Sequence, residues 1–375
     1  MTVKPMRICY LANAASVHTV RWVRYFIEKG HEVHIVSFEE AHVKGAIMHI
    51  LKLPVLVKNA TFALKLALVF QIYILLRKIK PDIVHAHYVT NYGLFGALSN
   101  YKPFVLTAWG SDILTVPGER FLSNIKRLIS KFVLSQTDLV TCDAEHMKIA
   151  LNQLGVQKNK IVLIFFGVDT KKFCPRQKSD VLEKKFGIRD VFVVISLRNL
   201  EPLYDIESLV RSVPIVLKEV PKSKFIIAGR GSEEQRLKKL AESLGVLKNV
   251  NFIGFVPNDE LPQYLNSVDV YVSTSLSDAG IAASTAEAMA CGLPVIVTDV
   301  ADNRKWVTDG ENGFVVPRKA PEILAEKIIY LLKNEHIRKR FGEANRHVIE
   351  ERNNYYREME KMETLYAELI RRRRK

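Results

Sequence analysis

The stretch from Ser273 to Asp299 constrains the fold of this chain more than any other. Small residues run from Asp278 through a Gly280-Ile281 step into an Ala-rich segment closed by Gly292, and an apolar strand pattern, Leu293 to Val297, follows at once. That order predicts a loop, a short helix stopped by glycine and then a strand. Backbone N–H groups at the helix start, around Gly280, Ile281, Ala282 and Ala283, lack intrahelical partners and sit at the positive end of the helix dipole, which suits a phosphate group. Glu287 follows within the helix, among Ala, Ser, Thr and Met. Its carboxylate can accept two hydrogen bonds from a vicinal diol such as a ribose. An N-capping Asp278 with a solvated Glu287 fits the same residues, and both readings stay open at this point.

The first residues carry the same grammar. Met6 to Leu11 predicts a strand, Asn13 to Val17 a loop, His18 to Ile27 a helix ending at Gly30, and Glu32 to Ser37 a second strand. A β-α-β unit of this kind points to a doubly wound sheet with its ligand crevice at the carboxyl ends of the strands. The loop Asn13-Ala14-Ala15-Ser16 has none of the glycines usual in a phosphate cradle. His18 and Arg21 are therefore read either as acceptor contacts or as surface residues of the helix. Within 55–76 the most apolar run, Phe62 to Leu76, is interrupted by Lys65 and Gln71. Crossing a bilayer takes about 20 apolar residues, so a core helix is expected instead. Lys80 to Tyr88 predicts a buried strand with His85 and His87 on one side of its end, and with no third ligand nearby no metal site is expected. Phe104 to Thr107 is the next strand, followed by Trp109-Gly110-Ser111-Asp112. In the second half, Val191 to Leu197 forms a strand pattern with Arg198 at its carboxyl end, and Arg230 stands in the turn Ala228-Gly229-Arg230-Gly231-Ser232.

At 375 residues the chain fits two domains of common size. Its 55 basic and 40 acidic residues give a formal charge of +15, which calls for a polyanionic partner, surface or substrate. The chain shows no zinc-finger, RNP or helix-turn-helix pattern, so nucleic acid is not the expected partner. The dense basic run Arg371-Arg372-Arg373-Arg374-Lys375 instead suits an anionic membrane surface, where each basic residue contributes about 1 kcal/mol. Cys9, Cys142, Cys174 and Cys291 have no ligand-like spacing and read as reduced thiols of a cytoplasmic protein. Met1 to Arg7 leads straight into a strand pattern, so no secretory signal is expected.

Glu287-Ala-Met-Ala-Cys-Gly-Leu-Pro-Val295, the turn Val307 to Pro317 and the segment Phe166-Gly-Val-Asp169 to Pro175 together resemble the retaining family 4 glycosyltransferases of the GT-B fold. The resemblance covers most of the chain. It implies an α/β architecture of two Rossmann-like domains with an interdomain cleft and a C-terminal helix that crosses back to the N-terminal domain. Residues 1–168, joined by 350–375, would form the acceptor-binding domain, and 169–349 the nucleotide-sugar domain. Glu287 inherits the ribose contact, and Arg198 the grip on the diphosphate. The family's Lys five residues after that Arg is Leu203 here, with Tyr204 next, which leaves Arg230 as a candidate second phosphate contact. The family's first acid, eight residues before the Glu, falls on Ala279. Asp278, one residue earlier, is the shifted substitute for its hexose contact. Asn251 to Pro257 matches the base-recognition strand, where the backbone around Phe255 and Val256 would pair with the nucleobase. The family's His-Gly-x-Asp turn becomes Trp109-Gly-Ser-Asp112, and a tryptophan can stack on a sugar and donate one hydrogen bond but cannot act as a base.

The expected protein is thus a metal-independent retaining hexosyltransferase with no cofactor. It would take a UDP-sugar or GDP-sugar donor and a glycan or lipid-linked acceptor, in the cytoplasm or on the inner face of the cell membrane. Donor contacts would come from Arg198, Arg230, Phe255, Val256, Asp278, Gly280 to Ala283 and Glu287, with Arg198, Asp278 and Glu287 nearest the chemistry. Acceptor contacts would come from His18, Arg21, His87, Trp109 and Asp112. A sugar-nucleotide-binding partner subunit that has lost catalysis is the alternative, fed by Ala279, Trp109 and Leu203. A GT-B nucleotide-sugar epimerase is a weaker one, because it would not need the Ala-Met-Ala-x-Gly-x-Pro-Val block.

Overall fold

The computed structural model describes residues 4–51, 62–109, 113, 120–278 and 280–374, without the side chains of 62–66, 120–125 and 374. Two compact units divide the chain, one of residues 1–166 with 356–375, the other of 167–355.

In the first unit, β1 (Arg7–Leu11), α1 (Val17–Glu28), β2 (Glu32–Ser37), β3 (Ile47–Ile50), α2 (Phe62–Ile79), β4 (Ile83–His87), α3 (Gly93–Leu98), β5 (Phe104–Thr107), α4 (Arg120–Ser135), β6 (Leu139–Cys142), α5 (Glu145–Gln153) and β7 (Ile161–Leu163) follow one another. The strands form one parallel sheet in the order β3-β2-β1-β4-β5-β6-β7. Ile8, Tyr10, Leu11, Ile35, Val84 and Leu106 are buried, as strands covered on both faces require. The order reverses between β1 and β4, so the loops after these two strands open a crevice there.

Helix α2 corrects one expectation. Residues 52–61 lie outside the described set, and the described part of the apolar run is no fully buried core helix. Leu68, Ile72, Leu76 and Ile79 pack inward, while Phe70, Tyr73 and Ile74 are exposed. The run is apolar all round, so its sequence carries no period that separates the two faces. Among the described residues no helix is long and apolar enough to cross a membrane.

The second unit holds α6 (Asp180–Phe186), β8 (Phe192–Ser196), α7 (Ile206–Glu219), β9 (Ser223–Ala228), α8 (Glu234–Ser243), β10 (Val250–Gly254), α9 (Leu261–Leu265), β11 (Val270–Ser273), α10 (Ala283–Ala290), β12 (Val295–Thr298), α11 (Asn303–Trp306), β13 (Gly313–Val316), α12 (Pro321–Lys333) and α13 (Glu335–Arg352). Its sheet is parallel, ordered β10-β9-β8-β11-β12-β13, and reverses between β8 and β11. Gly292, at φ +77°, ends α10 in the left-handed conformation expected of a glycine stop. A Cβ on Gly342 of α13 would fall deep inside contact distance of the Gly292 carbonyl, so the two helices meet backbone to backbone.

The final helix, α14 (Tyr355–Arg374), packs into the first unit from Tyr356 onward. Tyr366 brings its hydroxyl to 3.2 Å from that of Tyr10 and contacts His85 Nδ1. Glu363 accepts from Tyr25 Oη at 2.8 Å and pairs with His31 Nε2 at 2.9 Å. Glu358 accepts the Phe165 N–H at 2.8 Å.

Candidate functional site

The donor candidates all lie in the second unit, after the carboxyl ends of its strands. Arg198 follows β8 and Asp278 follows β11, the two strands at the reversal of sheet order. Their side chains form an ion pair through Arg198 Nη2 and Asp278 Oδ1, with 10% and 12% of the side chains exposed. The Arg198 guanidinium also lies over the Tyr204 ring, 4.4 Å from its centroid. A turn on the β8 side is tied to the loop after β11, because Leu276 donates its N–H to the Leu203 carbonyl at 2.8 Å and Thr274 Oγ1 donates to the Tyr204 carbonyl at 2.8 Å. Burial pushes the Asp278 carboxyl above its ordinary range against the opposing pull of Arg198. Asp278 is therefore not the cap of α10. Ala282 holds the N-cap position.

Helix α10 starts at Ala283, so Gly280, Ile281 and Ala282 precede it, and the first N–H groups of the helix proper are those of Ala283 and Ser284. The expected phosphate-facing amides thus divide, three in the approach loop and one in the helix. Glu287 is buried, which removes the solvated reading, and its Oε1 accepts from Asn258 Nδ2 at 3.2 Å. Asn258 stands just past β10, beyond Phe255, which is 64% exposed, and the buried Val256. The turn after β9 is pressed against the strand end that carries Arg198: Cβ atoms on Gly229 or Gly231 would collide with the Arg198 and Leu200 carbonyls. The Leu200 N–H reaches the Arg230 carbonyl at 3.0 Å. Arg230 itself is exposed, beside Gly254. Asp112 and Ala279 lie outside the described residues.

The acceptor candidates of the first unit converge on one another. The loop after β1 uses its own polar groups, with Ala15 N–H on Asn13 Oδ1 at 2.8 Å and Ala14 N–H on Ser37 Oγ at 3.1 Å, and α1 then presents His18 and Arg21. The His18 ring lies 4.4 Å from Trp109 and 4.7 Å from Phe166, centroid to centroid. Trp109 is 5.5 Å from His87, and the Arg21 guanidinium sits 3.9 Å over Phe166. Burial drives His87 down to about 3 and lowers His18, so both rings are neutral near pH 7. His87 Nδ1 faces Thr19 Oγ1 at 3.5 Å, and its Nε2 has no hydrogen-bond partner among the described residues. His85 is by contrast a satisfied core residue, held between Tyr366 and Thr107. Among the described residues no group of three or more His, Cys, Asp or Glu could hold a metal ion.

Phe166 and Asn258 carry no site signal in the sequence. Each enters through a contact between distant segments, Phe166 with His18 and Asn258 with Glu287, which spacing along the chain does not encode.

Residues 178–348 match the family described as Glycosyl transferases group 1, and residues 7–144 the family described as Glycosyl transferase 4-like. The alpha-monoglucosyldiacylglycerol synthase of Acholeplasma laidlawii is 30% identical over 325 residues, 79% of this chain and 77% of that protein. The chain belongs to the group 1 glycosyl transferases. A second relative of this family, the UDP-Gal:alpha-D-GlcNAc-diphosphoundecaprenol alpha-1,3-galactosyltransferase of Escherichia coli, is 30% identical over 70% of this chain and 69% of its own length. The crystal structure of Anabaena HepE in complex with UDP superposes with a TM-score of 0.79 over 97% of this chain and 100% of that one, at 19% identity. The architecture is thus that of the GT-B glycosyltransferases.

Proposed function

We propose that this glycosyltransferase moves a hexose, with retention at the anomeric carbon, from a UDP-sugar or GDP-sugar to a glycan or lipid-linked acceptor. The observation that carries the reading is the ion pair of Arg198 and Asp278 at the reversal point of the second sheet, where a doubly wound fold holds its ligand. Arg198 and the amides from Gly280 to Ala283 would receive the diphosphate, Glu287 the ribose, and Asp278 a hexose hydroxyl. The backbone beside Phe255 and Val256 would meet the base. As the glycosidic bond breaks, negative charge grows on the departing diphosphate, and a buried guanidinium together with fixed amides stabilises it without reorganising. No metal and no cofactor enter this scheme. The leaving phosphate takes the acceptor proton, because burial makes His87 a weak base and lowers the basicity of His18, and Trp109 is no base.

The cluster of His18, Trp109, Phe166 and His87 would take the acceptor, with ring faces for a sugar and Arg21 for an anionic group. A lipid-linked acceptor at the inner face of the membrane fits two further features. Phe70, Tyr73 and Ile74 are exposed on α2, and Leu128 and Phe132 are exposed on α4 among Lys126, Arg127 and Lys131. One relative is named for a glycolipid product and another for a polyprenol-linked substrate, which supports the same choice.

Turnover tests the reading. Release of UDP or GDP from the corresponding sugar nucleotides is measured with and without a diacylglycerol or polyprenol-diphosphate acceptor. Acceptor-dependent release with one donor supports transfer. Nucleotide binding with no turnover on any donor favours the alternative, a partner subunit without catalysis, which the Leu203 and Trp109 departures would explain.

A further inference from the structure

Arg198 cannot give the same N–H groups to two anions. Its Nη2 is committed to Asp278, its ring-like face to Tyr204, and its Nε has no hydrogen-bond partner among the described residues. Building on the proposed donor site, we infer that Asp278 occupies the diphosphate's place on Arg198 in the empty protein and is displaced when a nucleoside diphosphate binds, so that this internal carboxylate sets donor affinity.

Charge balance carries the first part. The pair is nearly closed to water, so a diphosphate arriving beside a carboxylate that stayed in place would set like charges together where water screens them poorly. No second fixed cation offsets that repulsion in the described site. Position 203 is an exposed Leu, and Arg230 is exposed on its own turn. The groups acting on Asp278 are Arg198 and the Ser275 hydroxyl, and its charge in turn raises the Tyr271 phenol. The empty seat therefore carries one positive and one negative charge, and although Arg198 has N–H groups to spare, the pair offers the ligand no net positive charge until Asp278 leaves it.

The loop allows that departure. Upstream of Asp278 it is anchored by the Leu276 N–H on Leu203. Gly280, two residues on, has no described atom within 4 Å of where a side chain would stand. With the anchor between Asp278 and β11, rotation of the Asp278 side chain away from Arg198 leaves β11 in place.

Calorimetric titration of the full chain with UDP, GDP, uridine and guanosine provides the test, using the wild-type protein, Asp278→Asn and Asp278→Ser. For the nucleotide that binds, both variants are expected to gain about tenfold or more in diphosphate affinity, the scale of losing one close charge contact. The parent nucleoside should bind them as it binds wild type. Equal or weaker diphosphate affinity in a folded variant overturns the inference and leaves the donor site standing, and so does an equal gain for the nucleoside. If neither nucleotide binds the wild type or the variants, the donor site itself falls and the inference with it. Thermal melts establish folding, and Asp278→Ser serves if Asp278→Asn does not fold.

Discussion

Asn258 Nδ2 donates to Glu287 Oε1 across 3.2 Å, and this contact joins the loop after β10 to the buried face of α10. It holds a carboxylate inside the second unit at a fixed distance from the strand that would read the base. Glu287→Gln keeps the shape and removes the charge, and Arg198→Ala removes the guanidinium. Each is expected to weaken UDP or GDP binding by about 1–3 kcal/mol, the usual range for a hydrogen bond to a charged group, while the fold is kept. Calorimetry on variants with wild-type circular dichroism checks this, and unchanged affinity removes the residue from the site.

The sharp meeting of α10 and α13 gives a stability prediction independent of function. A methyl group on Gly342 has no room against the Gly292 carbonyl, so Gly342→Ala must push the helices apart. Overpacking of this kind costs roughly 1–3 kcal/mol. Chemical denaturation should show a lower midpoint with an unchanged slope, and a wild-type midpoint would mean the helices separate freely.

Acid should destabilise the first unit as its buried histidines are forced to take up protons. Burial holds His87 neutral down to about 3 and pushes His85 in the same direction. In the unfolded chain both titrate near an ordinary value of about 6.5. The unfolded state therefore binds more protons between those limits, and stability is full above about pH 6.5 and falls as pH drops toward about 3. By pH 5 His87 accounts for a loss of roughly 2 kcal/mol, and His85 acts in the same direction. Melting temperatures at pH 7.5, 6 and 5 measure the slope, which should be shallower in His87→Gln.

Membrane attachment is expected to need charge and apolar surface together. Wild-type protein should sediment with anionic liposomes at low salt, less at high salt, and poorly with neutral ones. A version ending at Ile370, and a second with Phe70, Tyr73 and Ile74 changed to Ser, should each lose binding. Equal sedimentation with both lipids would end the electrostatic argument, and absence from all of them would point to a soluble acceptor.

Much of this was legible in the sequence, for physical reasons that differ between residues. Arg198 stands out because a strand end shows as an apolar run closed by a polar residue, and Glu287 because a lone acid stands among small residues in a block that resembles a known family. The apolar spacing of α1, Val20, Trp22, Val23, Phe26 and Ile27, marks only part of its buried side: Trp22, Val23 and Phe26 are buried, Val20 and Ile27 half-buried, and Thr19 and Tyr25 are buried outside it. Helix α2 hid its exposed side because Leu, Ile and Phe recur on every face. The pairing of Arg198 with Asp278 joins positions eighty apart in the chain. No local pattern announces it, and the same holds for the rings of His18, Trp109 and Phe166, which come from three separate segments.

The path of α14 has a consequence for how the molecule is made. Tyr366 and Glu363 complete the interior around Tyr10, Tyr25, His31 and His85, yet the ribosome reaches them only after the whole second unit has been synthesised. Until then the emerging first unit carries an open groove in which His31 and Tyr25 lack their carboxylate. The second unit, continuous in sequence, can finish folding first, so the order of completion is the reverse of the order of synthesis.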